Sequence, residues 1–137
     1  MEKLHQLLAQ RGYRLTTARK KVFEVLNTAE KPIATAGIVA LSVGIDRVSV
    51  YRSIKLFSDL GIIKLIPVGW KRQYELTSPF KSHHHHILCT KCKKLTDLHS
   101  NDFEQFVTHL ANTRQFTLID HTFEIRGICK KCQKSHD

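Results

Sequence analysis

Hydrophobic and polar positions alternate with a helical period over the first sixty residues and with a strand period just after them. Apolar residues three or four positions apart predict four helices. These helices cover residues 3–10, a segment beginning at Thr16, residues 35–42 and residues 47–60. Two short strands are predicted at 62–67 and 73–76, around a Val68–Arg72 tip that carries two basic residues. Helices followed by a basic hairpin predict a winged helix-turn-helix domain over residues 1–78.

A polar segment at residues 79–82 contains a proline and predicts a linker. Beyond it, the pattern predicts a small α/β domain over residues 83–137. Its predicted elements are strands at 83–89 and 94–98, a helix that is capped by Asn101 or Asp102 and runs to about Thr113, and a strand at 116–128. The fold class predicted for the whole chain is therefore α+β.

Charge divides the chain in the same place. The net charge is +10. Residues 1–80 hold 13 Lys and Arg against 6 Asp and Glu, whereas the rest holds 9 against 6. A basic first domain favours a nucleic-acid partner. The recognition helix would run from Asp46 to Lys55, where side chains that donate hydrogen bonds can reach phosphates and base edges. These donors are Arg47, Ser49, Tyr51, Arg52 and Lys55. The alternative is a basic, solvated face on an ordinary helical domain.

The four cysteines form two C-x-x-C pairs, Cys89/Cys92 and Cys129/Cys132, and no other cysteine is present. Two such pairs predict a closed tetrahedral zinc site. Disulfides are the alternative. The polar opening residues do not resemble a signal peptide, so we expect a cytoplasmic protein with reduced thiols and a structural zinc ion.

Four consecutive histidines, His83 to His86, precede the first cysteine pair. Because side chains alternate along a strand, His83 and His85 would face one way and His84 and His86 the other. The run therefore predicts ligands for two different metal ions rather than for one. A solvated run without a function is the alternative.

Three stretches, taken with the histidines and cysteines, give the chain a family resemblance. They are Gly12–Arg19, Val48–Phe57 and Gly61–Ile63. The chain resembles the ferric uptake regulator superfamily of metal- and peroxide-responsive repressors along nearly its whole length. The resemblance implies an N-terminal winged helix and a C-terminal dimerisation domain. It also implies a homodimer that binds palindromic double-stranded DNA operators when it is loaded with metal.

The resemblance also assigns residues. It implies that Tyr51 and Arg52 are the main contacts of the recognition helix, that Arg14 and Arg19 are further DNA contacts, and that the cysteines hold structural zinc. One regulatory set would be His83, His85, Glu104 and His121. A second, at the interdomain hinge, would be Glu75, His84 and His86, with Asp97 as a substitute ligand.

The hinge set departs from the family pattern in two ways. Pro32 stands where many members supply a histidine, and two extra residues separate Glu75 from the histidine run. For Glu75 the alternative is a carboxylate that pairs with Lys71 or Arg72. For His121 the alternative is a histidine satisfied within the sheet.

The mechanism expected from the resemblance is a population shift. Metal at the hinge set would fix the two recognition helices at the spacing of successive major grooves. Zinc is favoured as the sensed metal because His85 stands where many iron-type relatives have Asp, and imidazole-rich sites suit zinc. This favours the zinc uptake regulator branch. A ferrous-iron-responsive or peroxide-sensing repressor is the alternative.

Two other classes of protein compete with this prediction. A zinc hydrolase would need an open coordination position, a general base and a pocket, and the sequence contains no H-E-x-x-H motif, nucleophile elbow or glycine-rich phosphate loop. We therefore expect no enzymatic activity and no small-molecule substrate. A structural zinc-ribbon module that binds nucleic acid would explain the cysteines and the charge, but not the histidine run. No apolar stretch approaches a membrane span.

Overall fold

A computed structural model describes residues 1–135 as two compact units. The first unit is Met1–Ser82, and the second begins at His83. Helices and strands occur in both, so the predicted α+β class is confirmed. Within residues 1–135, no helix has both the length and the apolar character needed to cross a membrane.

Four helices form most of the first unit, at positions close to those predicted. They are α1 (Glu2–Gln10), α2 (Thr17–Thr28), α3 (Thr35–Leu41) and α4 (Arg47–Asp59). Side chains cap two of them. The Thr16 side chain accepts a hydrogen bond from the Arg19 amide, and the Asp46 side chain accepts one from the Ser49 amide at 2.9 Å. Each cap satisfies an amide that the first turn of a helix leaves without a partner.

Three antiparallel strands complete the first unit, in the order β1, β3, β2. They are β1 (Ile33–Ala34), β2 (Ile63–Val68) and β3 (Lys71–Leu76). Val68 pairs with Lys71, so Gly69 and Trp70 form a two-residue hairpin loop. Gly69 has φ 60°, which a type II′ turn requires at its first loop position. The two-residue strand β1 was not predicted, because it is too short to show a period.

The core of the first unit is apolar and spans all four helices. Leu4, Leu8, Val22 and Phe57 are fully buried in it. Phe80 also packs on this core, with its ring centroid 5.0 Å from that of Phe23. Residues 79–82, which were predicted as a linker, are therefore part of the first unit.

The second unit has a three-stranded sheet and two helices. The elements are β4 (His85–Cys89), β5 (Leu95–Leu98), α5 (Asn101–Thr113), β6 (Glu124–Gly127) and α6 (Lys130–Lys134). Strand β4 lies in the centre, antiparallel to β5 and parallel to β6. The central strand carries the end of the histidine run and the first cysteine.

Two sequence predictions for this unit were wrong. Ser100 caps α5, accepting a hydrogen bond from the Phe103 amide at 3.2 Å, where Asn101 or Asp102 was predicted. Of the strand predicted at 116–128, only Glu124–Gly127 is extended in a sheet. The apolar alternation of that segment is real, but among the described residues only β6 finds a neighbouring strand to pair with, and a strand requires one.

Candidate metal centres and nucleic-acid surface

The four cysteines are brought together by two ends of the second unit. Cys89 ends β4 and Cys92 lies in the following turn, whereas Cys129 is the N-cap of α6 and Cys132 lies within that helix. The four Sγ atoms all lie within 4.8 Å of one another, and those of Cys92 and Cys129 are 3.8 Å apart. A zinc ion with bonds of about 2.3 Å places its sulfurs about 3.8 Å apart, whereas a disulfide needs about 2 Å. The cluster therefore fits zinc and contains no disulfide.

Backbone N–H groups stabilise the thiolate form of one cysteine in this cluster. Hydrogen bonds from the backbone N–H groups of Cys129 and Cys92 lower the pKa of Cys89 to about 6. The Cys129 amide lies 3.4 Å from the Cys89 sulfur. Cys132 shifts in the opposite direction, since the hydrogen bond between its thiol and Cys129 raises its pKa to about 12. Because a metal binds thiolate rather than thiol, Cys89 is prepared to bind and Cys132 must release a proton.

A second cluster joins β4, α5 and the loop before β6. The Nε2 atoms of His83, His85 and His121 form a triangle with sides of 3.2, 3.3 and 3.2 Å. The Glu104 carboxylate completes the set, 2.7 Å from His85 Nε2 and 3.1 Å from His121 Nε2. Four ligands about 2.0 Å from a zinc ion stand about 3.3 Å apart, so these spacings match the edges of a coordination tetrahedron.

The donor atoms of this second cluster also match the needs of a cation. Three ring nitrogens and a carboxylate converge on one point, and a neutral imidazole presents only one N–H donor. Desolvation opposes ionisation of Glu104, but the hydrogen bond from His85 and the charges of His121 and His83 outweigh it and lower the pKa of Glu104. A divalent cation would satisfy all four groups together. Whether these residues bind metal remains a prediction.

The opposite face of the histidine run holds a different group of side chains. The His84 and His86 rings are 4.8 Å apart, and His86 Nδ1 is 3.1 Å from the Asp97 carboxylate. His99, which sequence reasoning missed, lies beside His84 with ring centroids 5.5 Å apart. The pairing register explains its place: His85 pairs with Leu98 and His86 with Asp97, so the same antiparallel register continued by one residue sets His84 opposite His99. The sequence alone does not supply that register. The run therefore separates onto two faces of the strand.

Glu75 is buried on β3 of the first unit, with 3% exposure, although it carries a carboxylate. Its two oxygens lie 3.1 Å from Lys64 Nζ and 3.2 Å from Lys81 Nζ. The alternative pairing considered from sequence, with Lys71 or Arg72, was wrong. The hinge ligand set of Glu75, His84 and His86 stays a prediction.

Helix α4 separates its core side chains from a polar surface. Val50, Ser53, Ile54 and Phe57 are buried, while Tyr51 is half exposed. All but one of the predicted DNA-contact side chains of this helix are exposed, and the exception, Ser49, is partly buried. The exposed ones are Arg47, Tyr51, Arg52 and Lys55.

Spacing along α4 aligns three of these side chains. Arg47, Tyr51 and Lys55 are four residues apart and share one stripe of the helix surface. Lys55 also forms an exposed ion pair with Asp59 at 2.9 Å, which contributes little because water competes for both charges. The arrangement offers a row of hydrogen-bond donors to an anionic partner.

The two further predicted contacts precede α2 or lie in its first turn. Arg14 is exposed. The Arg19 guanidinium donates a hydrogen bond to the Arg14 carbonyl and lies 5.6 Å from the centroid of the Tyr13 ring. A cation held over an aromatic face is ordered before any partner arrives. Arg19 still has other N–H donors, since a guanidinium has five.

Comparison with known proteins decides between the classes considered from sequence. The model of the ferric uptake regulator family matches residues 10–126. The chain belongs to the ferric uptake regulator family. Members of this family are metal-responsive transcriptional regulators that bind DNA, and they are not enzymes. The predicted family resemblance is confirmed, and the zinc-ribbon and hydrolase alternatives fall away.

Individual family members resemble the chain over most of its length. It is 31% identical over 134 residues to the peroxide-responsive repressor PerR of Staphylococcus saprophyticus, covering 92% of this chain and 86% of that protein. It is 29% identical over 135 residues to the ferric uptake regulation protein of Synechococcus elongatus, covering 93% and 91%. The solved structure of the ferric uptake regulator Fur of Helicobacter pylori matches with a TM-score of 0.79 at 24% identity, covering 99% and 93%.

Proposed function

We propose that the protein is a zinc-responsive repressor that binds a palindromic DNA operator as a homodimer. The observation that carries this proposal is the set of His83, His85, His121 and Glu104. Its nitrogen atoms stand 3.2–3.3 Å apart, which is the spacing of a four-coordinate site with short bonds. Three imidazoles and one carboxylate suit zinc better than a metal that prefers an oxygen-rich, six-coordinate shell.

The protein would have a structural metal site and separate regulatory metal sites. A structural zinc ion would be held by Cys89, Cys92, Cys129 and Cys132, since four sulfur ligands leave no coordination position open to water or another ligand. The histidine sets would bind the regulatory metal. Glu75, His84 and His86 would act as the hinge ligands that join the two units, with Asp97 beside His86 as a further oxygen donor. Ordering of the recognition helices at the spacing of successive major grooves would follow from that link.

An exposed apolar surface on the second unit supports the homodimer. No side chain of α5 is buried, and Phe106 and Leu110 are 57% and 47% exposed. Phe116 and Ile119, in the segment that lacks a sheet partner, are 70% and 96% exposed. Several large apolar side chains exposed within one small unit are typical of a protein interface. A palindromic operator requires a second copy, so we assign this surface to it.

The experiment that tests the function measures DNA affinity by fluorescence anisotropy at buffered free metal. The duplex is selected from a random library with zinc-loaded protein. We expect affinity to rise at least tenfold as free zinc increases, with the four-cysteine zinc retained throughout. His84→Ala and His121→Ala should abolish the rise. His109→Ala is the matched control, because His109 is exposed on α5 outside both histidine sets.

A titration with ferrous iron tests the main alternative, which is an iron-responsive or peroxide-sensing repressor. The relatives in Staphylococcus saprophyticus and Synechococcus elongatus are named for peroxide response and ferric uptake. The same titration is therefore repeated under anaerobic conditions with ferrous iron, followed by peroxide. A gain with iron only, or a loss after peroxide, would replace the zinc assignment. Equal affinity with and without any regulatory metal would refute metal-responsive binding by this chain.

A further inference from the structure

The tip of the β2–β3 hairpin exposes the only tryptophan of the chain. Trp70 is the second of the two loop residues, and its relative exposure is 104%. Its neighbour Gly69 holds the turn with a positive φ, so the loop is tight. The tip therefore presents a large aromatic ring on a short, well-defined support.

Full exposure is unusual for this side chain. Tryptophan is highly buried on average, and exposed tryptophans are concentrated at binding surfaces because the ring offers apolar area together with one N–H donor. The core of the first unit is complete without it, and no ring contact of Trp70 is present among residues 1–135. The ring is thus placed for a partner outside the chain.

The charges around Trp70 indicate the chemistry of that partner. Lys71 and Arg72 follow it directly and are exposed. Within the described chain neither forms a salt bridge, since Glu75, the only acidic residue between Gly61 and Leu76, is paired with Lys64 and Lys81. The tip therefore carries two cations and an aromatic ring with no compensating acid. A polyanion with apolar faces, such as the sugar–phosphate backbone of DNA, matches this combination.

The length of the hairpin sets where the tip can reach. Strand β2 begins soon after α4 ends and has six residues. At about 3.3 Å per residue, the tip can lie roughly 17–20 Å from that end of the helix. The major groove that a recognition helix occupies is about 12 Å wide. The hairpin is therefore longer than the groove is wide, which gives its tip the reach needed to contact the backbone that flanks the groove.

We propose that Trp70 packs against the deoxyribose–phosphate backbone of the DNA flanking the base pairs that α4 contacts, with Lys71 and Arg72 on adjacent phosphates. The proposal rests on the proposed DNA-binding function and adds a second contact surface to it. The apolar ring covers sugar faces, so it adds affinity without reading bases. The two cations add the salt-dependent part of the contact.

Intrinsic fluorescence tests the contact directly, because Trp70 is the only tryptophan. Emission of the zinc-loaded, full-length protein is recorded while the selected duplex is added to saturation. We expect a blue shift and a marked loss of acrylamide quenching as the duplex covers the indole. Zinc without DNA should leave both quantities unchanged. Emission and quenching that stay constant at saturating DNA would overturn the proposal.

Affinity measurements separate the ring from the charges. Trp70→Ala removes one ring from each subunit of the dimer, so it should weaken binding by at least about tenfold and leave the salt dependence unchanged. Trp70→Tyr should restore most of the loss. Arg72→Gln should instead reduce the slope of log affinity against log salt by about 1.8 for a dimer. Leu65→Ala, an exposed apolar change midway along β2, is the matched control and should have no effect.

A shortened duplex locates the contact. When the base pairs flanking the operator core are removed, wild-type and Trp70→Ala proteins should bind equally. A Trp70→Ala protein that binds the long duplex as tightly as wild type, with zinc dependence intact, would overturn this proposal and leave the proposed function standing. A blue shift that depends on protein concentration and needs no DNA would assign the tip to a protein partner instead. Failure of the wild type to bind any duplex would refute the proposed function itself.

Discussion

Replacing Cys92 with serine tests whether metal holds the second unit together. Cys92 lies in the turn after β4 and is exposed, so the substitution removes little packing. It does remove one of four thiolate ligands, and the hydroxyl of serine is a poor ligand for zinc. Lys91→Ser is the matched control, since the Lys91 side chain is exposed in the same turn and the substitution keeps the Lys91 backbone N–H that bonds Cys89.

The expected magnitude follows from how few apolar side chains the second unit buries. Among the described residues from His83 onward, Leu88 and Cys89 are the only buried hydrophobic ones. Full burial of Leu88 contributes about 2 kcal/mol. A structural zinc ion contributes about 10 kcal/mol or more to small metal-stabilised folds. Loss of the metal should therefore remove a larger stabilising term than any single side chain of this unit supplies.

Hydrogen exchange read by mass spectrometry measures the loss separately in each unit. In Cys92→Ser we expect amides of β4 and β5 to lose protection by several orders of magnitude. Amides of α2 and α4 should exchange as in wild type, because their apolar core contains no metal ligand. Lys91→Ser should match wild type in both units. Unchanged protection of β4 in metal-free Cys92→Ser would refute the reasoning and show that the sheet is stable without zinc.

Three further substitutions give distinct outcomes. Glu104→Gln should weaken regulatory zinc binding by about 100-fold in competition with a chelator, because the carboxylate lies 2.7 Å from His85 and supplies the only negative charge in that set. Leu110→Glu should give a monomer in analytical ultracentrifugation, since its side chain lies in the exposed apolar surface; a persistent dimer would relocate the interface. Hydrogen bonds from Ser49 lower the pKa of Asp46. The Asp46 cap therefore stabilises α4 at pH values above the ordinary carboxyl pKa, and this contribution is lost as the pH falls through the lowered pKa of Asp46. Asp46→Asn, which caps without titrating, should therefore show a shallower loss of stability in acid urea titrations than wild type does.

The sequence was sufficient for the four helices and the hairpin of the first unit because each of these elements carries local signals, whereas the two-residue strand β1 carries none. Thr16 and Asp46 occur just before apolar helical periods and cap α2 and α4 as residues of their type do. Gly69 marks the hairpin loop. The paired cysteines and the alternating histidines were equally local, since C-x-x-C spacing and the period of a strand are properties of neighbouring residues.

Parts of the second unit could not be predicted from local sequence patterns, because their structure depends on residues that are distant in sequence. Residues 116–123 have the composition of a strand, but strand formation needs a hydrogen-bonding neighbour that the apolar pattern does not identify. In the first unit, the pairing of Glu75 with Lys64 and Lys81 was missed for the same reason. Lys64 faces Glu75 only because β2 and β3 pair in the register that sets Ile63 opposite Leu76.

The register of β4 explains why four adjacent histidines can serve separate purposes. His85 faces Glu104 and His121, while His86 faces Asp97, because neighbouring side chains of a strand point to opposite sides. A shift of one residue would exchange the two faces and break both groups at once. The parallel pairing of β4 with β6, which sets Cys89 opposite Gly127, also brings Cys129 toward Cys89. A metal held by the four cysteines would therefore fix the register on which both histidine groups depend, and loss of that metal should disable regulation before any histidine is changed.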